Sequence, residues 1–156
     1  MMYKLSRTLL LCTAALVTMA GCASGPSYRE MATSIPTLAP QNGRLYFFRS
    51  SSMIGAAVQP DIKLNGETVG ESKPGGFFYV DRPAGHYTVS TATETEKTLS
   101  LALDAGETKY VRTAVSVGLA VGRVVPTLAD PATAQTAIEG LSYAPLQSGD
   151  AGSKRQ

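Results

Sequence analysis

Downstream of residue 43, apolar and polar residues alternate in short runs separated by turn residues, the period-two pattern of half-buried strands. His86 to Thr91 puts Tyr87, Val89 and Thr91 on one face and His86, Thr88 and Ser90 on the other. Thr98 to Leu103 gathers Leu99, Leu101 and Leu103 on the core side, and Tyr110 to Val117 gathers Val111, Thr113, Val115 and Val117. Arg44 to Arg49 is aromatic on both faces, which predicts a strand buried on both. Ile62-Lys63-Leu64 and Glu67-Thr68-Val69 flank Asn65-Gly66, a type I′ hairpin signal. Phe77 to Val80 follows Pro74-Gly75-Gly76, and Arg123 to Leu128 resumes after a break at Gly118 to Gly122. Asp81 to Gly85 and Asp104 to Glu107 read as turns. This spacing predicts a mainly β chain, a single antiparallel β-sandwich of about seven or eight strands. One short C-terminal helix is expected, with Asp130 as N-cap, Pro131 at the first helical position and Gly140 after its end. Ala134, Ala137, Ile138 and Leu141 form its apolar face.

The first residues follow another pattern. Lys4 and Arg7 precede the apolar run Leu9 to Val17, and Met19-Ala20-Gly21 is a small-residue exit. That is the organisation of a secretory signal, with an apolar run shorter than the ~20 residues a spanning helix needs. Cys22 comes next, and Val17-Thr18-Met19-Ala20-Gly21-Cys22 resembles a bacterial lipobox, with Met19 where leucine is usual. The resemblance implies acylation of the Cys22 thiol, cleavage before it and anchoring by acyl chains. Ala23 stands where an aspartate retains enteric lipoproteins in the inner membrane, so the resemblance extends to the outer-membrane default. Cys12 would leave with the signal, so the mature chain would hold neither a free thiol nor a disulfide.

The expected organisation is therefore a signal peptide at 1–21, a lipidated cysteine and flexible tether at 22–43, a sandwich at 44–145 and a disordered tail at 146–156. Ala23 to Gly43 carries three prolines and no sustained periodicity. A flexible chain of ~20 residues would reach ~25 Å.

Charge narrows the partners. The 156 residues carry a net charge of +2, but without Lys4 and Arg7 there are 12 basic and 12 acidic residues. A balanced chain argues against nucleic acid as a partner. The expected partners are a lipid bilayer, through acyl chains on Cys22, and an envelope protein.

The catalytic inventory is thin. His86 is the single histidine, and its neighbours place it on the solvent face. It has no carboxylate at ligand spacing for a metal, and any Ser-His-Asp triad would have to use it. Glu94 and Glu96 share a face beside Lys97, which suits a solvated hairpin tip better than a hydrolase pair. No cofactor signal is present and no enzyme is expected; a small hydrolase is the minor alternative. Gly118-Leu119-Ala120-Val121-Gly122 is apolar, and no charge occurs from Ala114 to Gly122. It reads as buried packing or as a contact loop. Ser50 to Gln59 is a similar loop. If the two meet at one end of the sandwich, Ile54 and Leu119 are candidate partner contacts, flanked by Arg49 and Arg123 as anion or carboxylate holders.

Pro83-Ala84-Gly85-His86-Tyr87-Thr88-Val89 resembles the turn-and-strand motif of transthyretin-like and carboxypeptidase-regulatory-like sandwiches. A wider series covers about residues 43–141: Gly43 to Arg49, Leu64-Asn65-Gly66, Gly70, Pro83 to Tyr87, Ala105 to Val111 and Val121-Gly122-Arg123. In this order it resembles the bacterial lipoprotein family catalogued as domain of unknown function 2846. The resemblance implies an exported β-sandwich and brings no catalytic residues. The functional expectation is an outer-membrane-anchored, periplasm-facing, non-catalytic binding or envelope-associated module; a surface-displayed ligand binder is the alternative.

Overall fold

A computed structural model describes residues 22–146. The expected signal peptide and residues 147–156 of the expected tail lie outside the described residues.

Nine strands form two packed sheets in the described residues: β1 (Asn42–Phe48), β2 (Asp61–Leu64), β3 (Glu67–Glu71), β4 (Gly76–Pro83), β5 (Gly85–Ala92), β6 (Glu96–Leu103), β7 (Thr108–Ser116), β8 (Arg123–Ala129) and β9 (Ser142–Tyr143). Their order is β8-β7-β1-β4-β9 in one sheet and β3-β2-β5-β6 in the other. The helices are α1 (Tyr28–Met31), continued by one 3-10 turn, and α2 (Pro131–Ile138). The fold is the expected mainly β sandwich. It is not purely antiparallel, because β1 pairs with β7, and β4 with β9, in parallel.

Strand β1 shows why an aromatic run with no obvious polar face was written into the chain. It is central in its sheet, and its two faces serve two cores. Leu45 and Phe47 point between the sheets and join Ile62, Phe78, Val89, Leu103 and Val111. Phe47 and Phe78 stack at 5.0 Å between ring centroids. Tyr46 and Phe48 point outward, where Ala134 and Ile138 of α2 and Leu141 cover them. Helix α2 begins as the sequence predicts: the Asp130 carboxylate accepts from the Thr133 backbone N–H, and Pro131 follows it. The Asn65-Gly66 turn has positive φ at both residues, as a type I′ hairpin requires.

Residues 23–43 are not a free tether. Ser27 and Glu30 form a reciprocal capping box that starts α1. Tyr28 packs edge-on against Phe77 and Tyr46, with centroids 5.6 and 6.3 Å away. The Tyr28 N–H donates to the Leu141 carbonyl, and the Tyr143 N–H donates to the Pro26 carbonyl. The physical reason lies on the other side of the contact. The outer face of the five-stranded sheet is aromatic, and the segment supplies Tyr28 and Met31 to cover it. Prolines and small residues here set an irregular path rather than a loose one.

Two further positions differ from the period-two reading. Val117 lies beyond the end of β7 and is exposed. Tyr87 is half-buried rather than fully buried: its ring packs against the edge of the inner core and its Oη donates to the Pro83 carbonyl at 2.7 Å. His86 is exposed, as expected.

Candidate functional site

Parallel pairing of β1 and β7 brings their C-terminal ends to the same end of the sandwich. Strand β5 finishes there too, since it runs antiparallel to β2, whose first residue follows the loop from β1. Several connections therefore crowd this end, among them residues 49–60, residues 72–75, the β5–β6 tip and residues 117–122. Both apolar loops pack against one side chain of β7, Val115. A side chain added at Gly55 would lie 2.9 Å from Val115, and one added at Gly122 would lie 3.3 Å from the same residue.

Arg49 does not flank this end as an open anion holder. It is 3% exposed. Its Nη1 donates to the carbonyls of Val58 and Ser72 at 2.7 and 2.9 Å, and its Nη2 donates to the carbonyl of Gly55 at 2.8 Å. The guanidinium is a template over which the 49–60 loop is folded, and its planar fork suits several carbonyls at once. Burial pushes its pKa down from the usual value. The sequence did hold a sign of this: period two from Leu45 and Phe47 carries Arg49 to the inner face.

Arg123 is also engaged. Its Nε lies 3.3 Å from the Glu94 carboxylate. Glu94 belongs to the β5–β6 tip, but it does not act as half of an acid pair with Glu96. It reaches across to the other loop and accepts from the backbone N–H groups of Leu119 and Ala120 at 2.8 and 2.9 Å. Those bonds, Ala120's foremost, hold its carboxyl below the usual range, and the Arg123 charge adds to them. The role of Glu94 was not readable from spacing, because its partners lie 25 and 26 residues away. Gly118 is required beside it: an added Cβ there would overlap the carboxylate.

Ile54 and Leu119 both reach solvent at this end. Leu119 is 95% exposed and Ile54 82%, and Met53, Val117 and Val121 are exposed at the same end. The reading of 118–122 as buried packing is set aside.

Cys22 is exposed and belongs to this end as well. The Ala23 N–H donates to the Pro74 carbonyl at 3.1 Å. The adjacent Gly75 lies against Ser51, at the base of the 49–60 loop.

Elsewhere the chemistry is sparse. The hollow around His86 is lined by Tyr87, Thr88, Ser100, Leu101 and Ala102, with no carboxylate among them. No group of three His, Cys, Asp or Glu among the described residues could hold a metal. An open depression of about 430 Å³ beside α2 is lined by Phe48, Ser50, Arg112, Leu128 and Thr133, among others.

The family model described as protein of unknown function (DUF2846) matches residues 39–124. The chain belongs to the DUF2846 family. A Haemophilus influenzae relative described as an uncharacterized protein is 32% identical over 109 residues. The match covers 67% of this chain and 64% of the relative, so the chain spans less than two thirds of that protein's length. No solved structure matches the chain. The DUF2846 match ends at residue 124, within β8, and takes in the two apolar loops and Glu94.

Proposed function

We propose that this DUF2846 protein is a lipoprotein of the bacterial cell envelope, anchored through acyl chains on Cys22 and acting by binding rather than catalysis. The observation that carries the reading is the sequence up to Cys22: basic Lys4 and Arg7, an apolar run, then Ala20-Gly21-Cys22. The exposed Cys22 thiol, first of the described residues, is compatible with acylation. Ala23 in place of aspartate favours the outer membrane, with the domain on the periplasmic side. The exposed apolar loops favour a contact role, since clustered exposed apolar side chains mark interaction sites.

The test is Cys22→Ser in cells supplied with labelled palmitate. The native protein should take up label and sediment with the outer-membrane fraction. The variant should remain unlabelled and unprocessed. A labelled, processed Cys22→Ser protein, or an unlabelled native one, would overturn the reading.

A further inference from the structure

We propose that the loop end of the sandwich is a membrane-dipping edge, with Met53, Ile54, Val117, Leu119 and Val121 seated in the interfacial layer of a lipid bilayer. The proposal rests on the lipoprotein reading, because the bilayer meant is the one to which Cys22 is acylated.

Three independent observations point to lipid. The first is placement. Cys22 and the apolar loops share one end of the fold, linked by a run of contacts: Ala23 to Pro74, Gly75 to Ser51, then Gly55 and Gly122, both against Val115. The residue after the anchor is hydrogen-bonded to the domain, so the acyl chains leave from this end with little slack. An anchored domain then presents Ile54 and Leu119 to the bilayer surface rather than to solvent.

The second is charge. Residues 50–60 and 114–122 contain no Asp, Glu, Lys or Arg. Entering a headgroup and acyl boundary therefore strips water from no ionised side chain of either loop. Flexible loops that merely face water carry polar tips; these carry Met, Ile, Val and Leu.

The third is the backbone. An irregular loop can enter an apolar layer only if its N–H and C=O groups already have partners. Glu94 takes the N–H groups of Leu119 and Ala120, and Arg49 takes the carbonyls of Gly55 and Val58. The Val58 N–H donates to the Gly55 carbonyl, and the Ala56 N–H to that of Met53. Both charged side chains work from beneath the loops, which leaves the apolar tips foremost. The expected depth is shallow, ~5–10 Å, as for interfacial segments.

The chain has no tryptophan, so one introduced residue reports alone. Ile54→Trp and Leu119→Trp place the probe at the two loop tips, and His86→Trp places it at the opposite end of β5. The acylated full-length protein, purified from envelopes and checked for its acyl chains by mass spectrometry, is reconstituted into phosphatidylethanolamine–phosphatidylglycerol vesicles with or without brominated acyl chains. The two tip probes should shift to shorter wavelength and lose emission to the brominated lipid, and the His86→Trp probe should do neither. Acylated protein whose tip probes are not quenched would overturn the membrane edge while leaving the anchor intact. A tip that shifts without quenching, covered by protein rather than lipid, would overturn it equally. Absence of acyl chains on Cys22 would overturn the anchor reading and this inference together. Melts of both tip variants, expected to match the native protein, show that each probe reports on a folded domain.

Discussion

The carboxylate of Glu94 accepts a hydrogen bond from the backbone N–H of Leu119 at 2.8 Å, joining a hairpin tip in one sheet to an apolar loop in the other. A loop with three apolar residues between two glycines has little of its own to hold it. Glu94 supplies two bonds and a counter-charge to Arg123, and so fixes the loop with its apolar side chains outward.

The folded protein holds the Glu94 carboxyl below its ordinary value. A depressed folded-state pKa contributes stability that is complete above the unfolded-state value and fades as pH falls through the folded one. Loop 117–122 should therefore resist proteolysis at neutral pH and become cleavable in acid. Glu94→Gln should be cleaved faster at neutral pH and should lose most of that pH dependence. Limited proteolysis across a pH series, read by mass spectrometry, checks both statements. Equal cleavage of native and variant at neutral pH would show that the latch does not hold the loop.

Arg49 should matter to stability rather than to recognition. Arg49→Met removes three bonds to backbone carbonyls and leaves those acceptors with an apolar neighbour. The cost should be ~3 kcal/mol in urea unfolding, at the level of a few charge-assisted bonds and unsatisfied buried groups. Arg49→Lys should recover only part of it, because an ammonium cannot reproduce the planar fork. A neutral Arg49→Met would show that water replaces the guanidinium without loss.

Tyr87 and His86 are neighbours with opposite expected effects. Tyr87→Ala should cost ~2 kcal/mol, below the ~3–5 kcal/mol of a fully buried aromatic, because the ring is only half-buried. Tyr87→Phe should cost about 1 kcal/mol, for the bond to the Pro83 carbonyl. His86→Ala should lie within ~0.5 kcal/mol of the native protein, as exposed substitutions do. Denaturant midpoints for the three variants rank them. A costlier His86→Ala than Tyr87→Ala would mean that the two faces of β5 are assigned the wrong way round.

Much of the fold was legible because it depends on neighbours in sequence. The Asn65-Gly66 hairpin, the Asp130-Pro131 helix start and the Leu101 and Leu103 face all follow from local turn chemistry and period two. The double burial of β1 was legible for the same reason. What local pattern could not reveal was pairing. Nothing near Tyr46 says that it lies beside Tyr110 in a parallel register. Nor does Ala23 to Gly43 announce that Tyr28 will cover Phe77, since aromatic cover is a demand made by the sheet and not by the segment. The site divides in the same way. Ile54 and Leu119 were findable from an absence of charge. The buried fork of Arg49 and the reach of Glu94 depend on partners distant in the chain.

The clasp between Pro26 and Tyr143 also bears on the order in which the molecule comes together. A chain that emerges N-terminus first exposes Tyr28 long before β9 exists, and β1 must wait for β7 before its second neighbour arrives. The small sheet has no such delay in its pairing, since β2, β3, β5 and β6 join only to one another and are complete once β6 is made. Until the last strand appears, the aromatic outer face of the larger sheet lacks its full cover, and the partly made protein carries a temporary sticky surface. Ending the chain just before Leu141 would make that passing state permanent.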